Sequence, residues 1–266
     1  MKSYYKVLSI AGSDSGGGAG IQADIKSISA NGGFATTAIT AITAQNTLGV
    51  NSIFPISEAS IQDQIHAVLS DIGTDAVKIG MLHSSAVIKT VVEVLDQFQP
   101  KNIVLDPVMV ATSGDQLIED EAVETLKSLL IPKTRVITPN IPEAQLLLDQ
   151  EVHEENLGES ARLLAEKFNV SVVLKAGHID TQVLKDVLYD NENHTLTEFT
   201  NPKIDTKNTH GTGCSLSSSI ATYLARGFSL KKATKKSIAY IHEAIAAGAH
   251  YQLGKGNAPI HHFYHH

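Results

Sequence analysis

Short apolar runs alternate with longer segments of helical periodicity along the whole chain, and this alternation constrains the fold more than any other feature. Candidate strands are Val7–Ala11, Thr36–Ile42, Ala76–Ile79, Ile103–Leu105, Val136–Ile137 and Val172–Leu174. Most are apolar throughout, as strands buried on both faces must be, so a mostly parallel sheet covered by helices on each side is expected. The spacing predicts helices over Gly20–Ala30, Ile61–Asp71, Ala86–Phe98, Glu121–Leu130, Ile141–Leu148, Gly158–Phe168, Thr212–Ala225 and Lys231–Tyr251. A β-hairpin is expected over Val187–Tyr189 and Leu196–Phe199, around Asp190-Asn191-Glu192-Asn193. There is no internal repeat, and 266 residues suit one layered α/β domain spanning 1–266.

In such sheets ligands bind outside the carboxyl ends of the strands. Polar and glycine residues collect there: Gly12–Gly20, Gln45, Gly80-Met81, Asp106-Pro107, Asn140 and Lys175-Ala176-Gly177 each follow a strand. The glycine-rich loop nevertheless fails both nucleotide fingerprints. A G-x-G-x-x-G starting at Gly16 would need glycine where Ile21 stands, and Gly254-Lys255 is followed by Gly256 rather than Ser or Thr. Its glycines suit close backbone approach to a compact substrate, or simply a strand-to-helix turn. A net charge of −7 argues against sequence-independent binding to nucleic acid or an anionic membrane, which leaves a small-molecule ligand. No apolar run is long enough to span a bilayer. One cysteine cannot form an internal disulfide, and the chain reaches Gly12-Ser13-Asp14 too early for a secretory signal, so a cytoplasmic protein is expected. The terminal His261-His262-Phe263-Tyr264-His265-His266 is taken as a natural tail without chemistry.

Asn208-Thr209-His210-Gly211-Thr212-Gly213-Cys214 places glycines and the lone cysteine where a helical pattern begins. Unpaired amides of that first turn, with the positive end of the helix dipole, would stabilise an anion. The same field would lower the Cys214 thiol toward thiolate, giving an anion hole with its own base. The bland reading is an ordinary turn, with Thr212 as a helix cap and Cys214 as a small buried residue.

Asp106 and Glu143 are candidate ligands for a hydrated Mg²⁺, which takes few protein oxygens and keeps several waters. Against this, Asn140-Ile141-Pro142-Glu143 is close to a helix capping box. Lys175 could point a charge at phosphates, or simply be solvated. Gln45 presents an acceptor and two donors that suit an aminopyrimidine edge, or is merely a polar strand end. Met81 and Val108 would wall a flat ring, or belong to the core.

Together, Ala11-Gly12-Ser13-Asp14 with Gly16–Asp24, Gln45-Asn46-Thr47, Lys78–Leu82, Asp106–Val110, Thr138-Pro139-Asn140 with Glu143, and Asn208–Cys214 resemble the bacterial hydroxymethylpyrimidine and phosphomethylpyrimidine kinases of thiamine synthesis. Gly254-Lys255-Gly256 with Pro259 and His261-His262-Phe263 is similar to that family's end. The resemblance implies a ribokinase-like three-layer αβα fold with a mostly parallel central sheet. It also implies ATP-dependent phosphorylation of 4-amino-5-hydroxymethyl-2-methylpyrimidine, then of its monophosphate. By position, Gln45 would bond the pyrimidine's amino edge, and Gly12, Ala19, Met81 and Val108 would complete the pocket. Gly211, Thr212 and Gly213 would line the anion hole, and Cys214 would be the base. Asp106 and Glu143 would act through Mg²⁺, while Lys175 and Asn140 position phosphates. A homodimer is also implied. Three positions depart from or qualify the pattern. Thr43 replaces an aliphatic neighbour of the ring, and Thr112 replaces a frequent lysine in the Val110–Gly114 segment. Val110 stands where related pyridoxal kinases tend to carry a second cysteine, which favours the pyrimidine enzyme. A pyridoxine or pyridoxal kinase is the nearest alternative, and a non-catalytic vitamin-binding sensor is an alternative of another class.

Overall fold

A computed structural model describes residues 2–109, 118–177 and 182–265. The expectations attached to Val110 and Thr112 lie outside the described residues. In chain order the elements are β1 (Lys6–Asp14), α1 (Gly20–Ala30), β2 (Phe34–Asn46), β3 (Gly49–Pro55), α2 (Glu58–Ala67) and β4 (Ala76–Ile79). There follow α3 (Ser85–Phe98), β5 (Ile103–Leu105), α4 (Asp120–Thr125), β6 (Val136–Ile137), α5 (Ile141–Leu148) and α6 (Leu157–Phe168). The chain continues through β7 (Ser171–Leu174), β8 (Val183–Asp190), β9 (Thr195–Pro202), α7 (Thr212–Ala225) and α8 (Leu230–Gly248).

These strands form a nine-stranded sheet in the order β3-β2-β1-β4-β5-β6-β7-β8-β9. From β2 to β7 every neighbouring pair is parallel, and β3, β8 and β9 join antiparallel at the two edges. Alternate side chains of the central strands enter two separate cores. Leu8, Ile10, Val77, Ile79 and Leu105 pack with α2 to α6, whereas Val7, Ala76, Val104 and Val173 pack with α1, α7 and α8. Burial on both faces explains why these strands read as apolar runs.

The expected parallel strands and most helices are present, with differences at their ends. Two expected helices pass into wider π turns, at Val68–Ile72 and Leu126–Leu130. The last helix stops at Gly248, short of Tyr251. The hairpin is longer than its apolar segments suggest, because Asp190 pairs with Thr195, leaving residues 191–194 as the turn. Strand β3 is absent from the sequence reading; it is largely exposed and pairs antiparallel with the outer half of β2, so no buried face marks it. The histidine-rich tail, taken as a segment without chemistry, has a structural part to play. His262 is buried with Nε2 3.0 Å from Ser215 Oγ in the first turns of α7, and its carbonyl accepts from Tyr240 Oη at 3.0 Å. Burial pushes the His262 imidazole down to about 4, so it is neutral near pH 7. Among the described residues no helix is long and apolar enough to cross a membrane.

Helix α7 is buried along most of its length, with its first turn at the carboxyl ends of the strands and the rest packed on one face of the sheet, so packing there should be costly to disturb. Ile220→Ala is expected to destabilise the protein by about 2–5 kcal/mol, and Leu48→Ala, on an exposed turn, by less than about 0.5 kcal/mol. Urea denaturation of the two variants checks the difference.

Candidate functional site

A cavity of about 450 Å³ opens at the carboxyl ends of the parallel strands. It is lined by all of the expected site residues: Gly12, Ala19, Thr43, Gln45, Met81, Val108, Asp106, Asn140, Glu143, Lys175, Gly211, Thr212, Gly213 and Cys214. The structure brings them to one place from six strands and the start of α7.

The turn before α7 is shaped by Gly211, which caps the helix at φ 79° without any side-chain cap. A Cβ there would stand 1.8 Å from the Gly18 carbonyl oxygen, so the glycine-rich loop and this turn touch directly. Thr212 N–H reaches Thr209 O at 3.3 Å; the amides of Gly213 and Cys214 have no backbone acceptor among the described residues. Gly213 faces two charges: a Cβ there would lie 3.3 Å from Lys175 Nζ and 3.4 Å from Asp106 Oδ2. An anion at this spot would meet free amides, a helix N-terminus and an ammonium together.

The glycine-rich loop does something other than open its amides to a ligand. Asp14 accepts from the amides of Gly16, Gly18 and Ala19 at 2.7, 3.0 and 2.8 Å. His210 Nε2 lies 3.0 Å from the same carboxylate. Burial raises the Asp14 carboxyl, but His210 and these amides outweigh it and hold it below the ordinary carboxylate range. His210 Nε2 is also 3.4 Å from Gln45 Nε2, and Gln45 Oε1 accepts from Thr43 Oγ1 at 3.2 Å. The short run from His210 to Cys214 thus contacts the Gln45 end of the cavity and the Lys175–Asp106 end.

Burial raises the Asp106 carboxyl, yet Lys175 at 2.8 Å, Lys78 and the Thr138 hydroxyl at 3.0 Å bring it below its usual range. Glu143 closes a full capping box with Asn140, so the bland alternative for this pair is realised in the structure. Burial pushes Glu143 up to about 7; Lys175 opposes this and Asp106 reinforces it. No group of three or more His, Cys, Asp or Glu among the described residues forms a metal cage. Two carboxylates suffice, however, for Mg²⁺ that keeps its waters and leans on phosphates, so the donor set fits that ion.

One expectation fails. The field of the α7 N-terminus was to bring the Cys214 thiol down, but burial pushes it up to about 11. Lys78 and the Gly20 amide oppose that rise, whereas Asp24 and Asp106 add to it. Loss of water, reinforced by the two carboxylates, outweighs what Lys78 and the Gly20 amide supply in favour of the thiolate. The resting thiol is therefore protonated near pH 7.

The chain as a whole matches a known family. The phosphomethylpyrimidine kinase family profile matches residues 14–261. The chain belongs to that family. A hydroxymethylpyrimidine/phosphomethylpyrimidine kinase of Rhizobium meliloti is 43% identical over 97% of this chain and 96% of its own length. A thiamine biosynthesis bifunctional protein of Geobacter sulfurreducens is 44% identical over 96% of this chain, which spans only 52% of that longer protein. Among solved structures, phosphomethylpyrimidine kinase from Clostridium difficile is 41% identical with a TM-score of 0.80, over 90% of this chain and 99% of that one. An ADP complex of Bacillus subtilis pyridoxal kinase is 34% identical with a TM-score of 0.89, over 98% of each chain. The ribokinase-like fold of this family is the one seen here.

Sequence reasoning on this family member left Asp14, His210, Lys78 and Asp24 without roles. Lys78 carries a readable signal: it is a charge inside the apolar strand run Ala76–Ile79, and it is fully buried against Asp24 at 2.8 Å. The Asp14–His210 contact spans 196 positions and has no such signal.

Glu143 keeps its proton up to about pH 7 when folded, against an ordinary 4.5. Between those values the folded state holds more protons than the unfolded, so this group's contribution to stability falls as pH rises through the window. Thermal unfolding of Glu143→Gln should consequently lose less from pH 5 to pH 8 than that of the wild type. Equal losses would refute the assigned ionisation. Gly211→Ala, forced into a left-handed backbone against Gly18 O, should cost about 1–3 kcal/mol in the same assay.

Proposed function

We propose that the protein transfers the γ-phosphoryl group of ATP first to the hydroxymethyl oxygen of 4-amino-5-hydroxymethyl-2-methylpyrimidine and then to the monophosphate so formed. The observation that supports this reading is the single turn His210–Cys214, which reaches the Gln45 amide at one end and the Lys175–Asp106 pair at the other within one cavity. Gln45 would bond the amino edge of the ring, between walls supplied by Met81 and Val108. Gly12 and Ala19 leave room for the ring, and Thr43 orients the Gln45 amide. At the other end Gly211, Thr212 and Gly213 hold the transferring phosphoryl group, with Lys175 and Asn140 positioning the phosphate chain. Phosphoryl transfer is mostly positioning and charge stabilisation, which these parts supply.

Asp106 and Glu143 are the residues that would hold Mg²⁺, through water and beside the nucleotide phosphates. That ion, when bound, neutralises phosphate charge. Its presence would also favour the ionised form of Glu143, reversing the effect of burial.

Cys214 is proposed as proton acceptor in the alcohol step. The substrate O–H bond breaks toward a Cys214 thiolate as its oxygen bonds to the γ-phosphorus and the bond to the ADP oxygen breaks. The resulting thiol then returns its proton to solvent. Because the thiol is raised to about 11, only a small thiolate fraction exists near pH 7, and it grows about tenfold per pH unit. The second acceptor is a phosphate that is already ionised near neutrality. Turnover of the alcohol should therefore climb with pH above 7, while that of the monophosphate should stay nearly flat. Cys214→Ala should slow the alcohol step about 10²–10⁴-fold and the second step far less. Equal loss in both steps would assign Cys214 to shaping the site instead.

The likeness to a pyridoxal kinase structure favours one competing reading on the same scaffold. ADP release with hydroxymethylpyrimidine against pyridoxine decides between them, and Gln45→Ala should harm the pyrimidine reaction more. Absence of ADP release with either would leave a vitamin-binding sensor. A homodimer and one domain over 1–266 are proposed on the family's pattern. In support of the dimer, Ile42, Ile53 and Phe54 are exposed on the β2–β3 edge of the sheet.

A further inference from the structure

Beneath Cys214 lies a closed group of buried polar side chains that the proposed reaction does not use. Asp24, on α1, is its centre. It accepts from Lys78 Nζ on β4 at 2.9 and 2.8 Å, from Ser9 Oγ on β1 at 2.6 Å, and from Ser218 Oγ on α7 at 2.7 Å. Lys78 and Asp24 side chains are both 0% exposed, yet Lys78 also lines the cavity that holds Cys214. Ser218 follows Cys214 by four positions on α7, so the two share one face of the helix, a turn apart.

A buried ion pair of this kind is poor evidence of added stability, since two apolar residues of like size often do as well. Its position gives a better reason for it. We infer that Lys78, clamped by the Asp24 carboxylate that Ser218 also holds one turn of α7 beyond Cys214, is a positioning residue that supports negative charge on the Cys214 sulfur during the alcohol step. This rests on the proposed role of Cys214. The charged groups facing the sulfur come from four elements. Lys78 from β4 and Lys175 after β7 favour charge on it; Asp24 from α1 and Asp106 after β5 oppose it. The Gly20 amide at the head of α1 also favours it. Each ammonium is held by one carboxylate, Lys175 by Asp106 at 2.8 Å and Lys78 by Asp24 at 2.9 and 2.8 Å, and of the two it is Lys78 that acts most on the sulfur.

The signs of two substitutions separate this role from a packing role. Lys78→Met should slow phosphorylation of hydroxymethylpyrimidine about 10- to 100-fold and that of its monophosphate by less than about threefold. Asp24→Asn keeps the hydroxyl partners and removes the opposing charge. It should move the pH rise of the alcohol step about one unit lower, making that step about tenfold faster near pH 7. Should either single variant fail to fold, the double variant Lys78→Met with Asp24→Asn, which leaves no unpaired buried charge, decides: its alkylation profile should shift up, because Lys78 outweighs Asp24 at the sulfur. Cys214 is the only cysteine, so the pH profile of iodoacetamide alkylation reports this sulfur alone, whatever the kinase activity. That profile should shift down in Asp24→Asn and up in Lys78→Met. Equal losses in both steps, or an alkylation profile unmoved in Asp24→Asn, would overturn the inference. A wild type that alkylates as expected but releases no ADP would instead overturn the proposed function.

Discussion

Charges that water barely reaches must be paired, and the ion pairs Lys78–Asp24 and Lys175–Asp106 set the terms for everything around them. Removing one member of such a pair leaves an uncompensated charge, a loss of about 3–5 kcal/mol. The two pairs therefore fix the relative places of α1, β4, β5 and β7, and Ser218 adds α7 to the set. The site stands on a polar floor that tolerates little displacement, which is what a reaction relying on positioning requires. The cavity walls come from strand ends and turns and from α7 and α8, where Leu216 belongs to the cavity lining and to one of the two cores at once.

Cys214 shows two physical effects in direct competition. A helix N-terminus stabilises a thiolate by its partial positive charge, and burial among carboxylates destabilises it by removing water. Burial prevails, and the thiol is raised to about 11. Only the thiolate form of this sulfur can accept a proton, so burial sets how little of that form is present near pH 7. Glu143 is governed by the same logic. Its carboxyl holds the first turn of α5 by a capping box, and its raised value of about 7 leaves it poised to ionise when a cation approaches.

The parallel sheet and its helices were legible because the strands are buried on both faces, and burial writes itself into a sequence as apolar runs. Strand β3 was not legible, since an exposed edge strand needs no apolar face. The residues that line the cavity were legible as a set because most of them end a strand or follow one, and the topology carries such positions to one end of the sheet. What each one does was less visible. Asn140 and Glu143 look alike as a capping box and as a metal site, and the structure realises the first while still allowing the second. The glycine-rich loop looks open to an anion, but its amides converge on Asp14, which only the folded loop reveals. The histidine tail looked inert, and burial of His262 against α7 showed otherwise.

By itself, the sequence determined the layers, the direction of the central strands, the family resemblance and the end of the sheet where the cavity opens. Those follow from period, burial and chain order, which are local properties repeated along the chain. Only the tertiary structure decided the charge on Cys214, the partner of Lys78 and the closure of Asp14 on His210. Each depends on how far apart two groups lie after folding and on whether water stands between them, and neither quantity is a function of sequence separation.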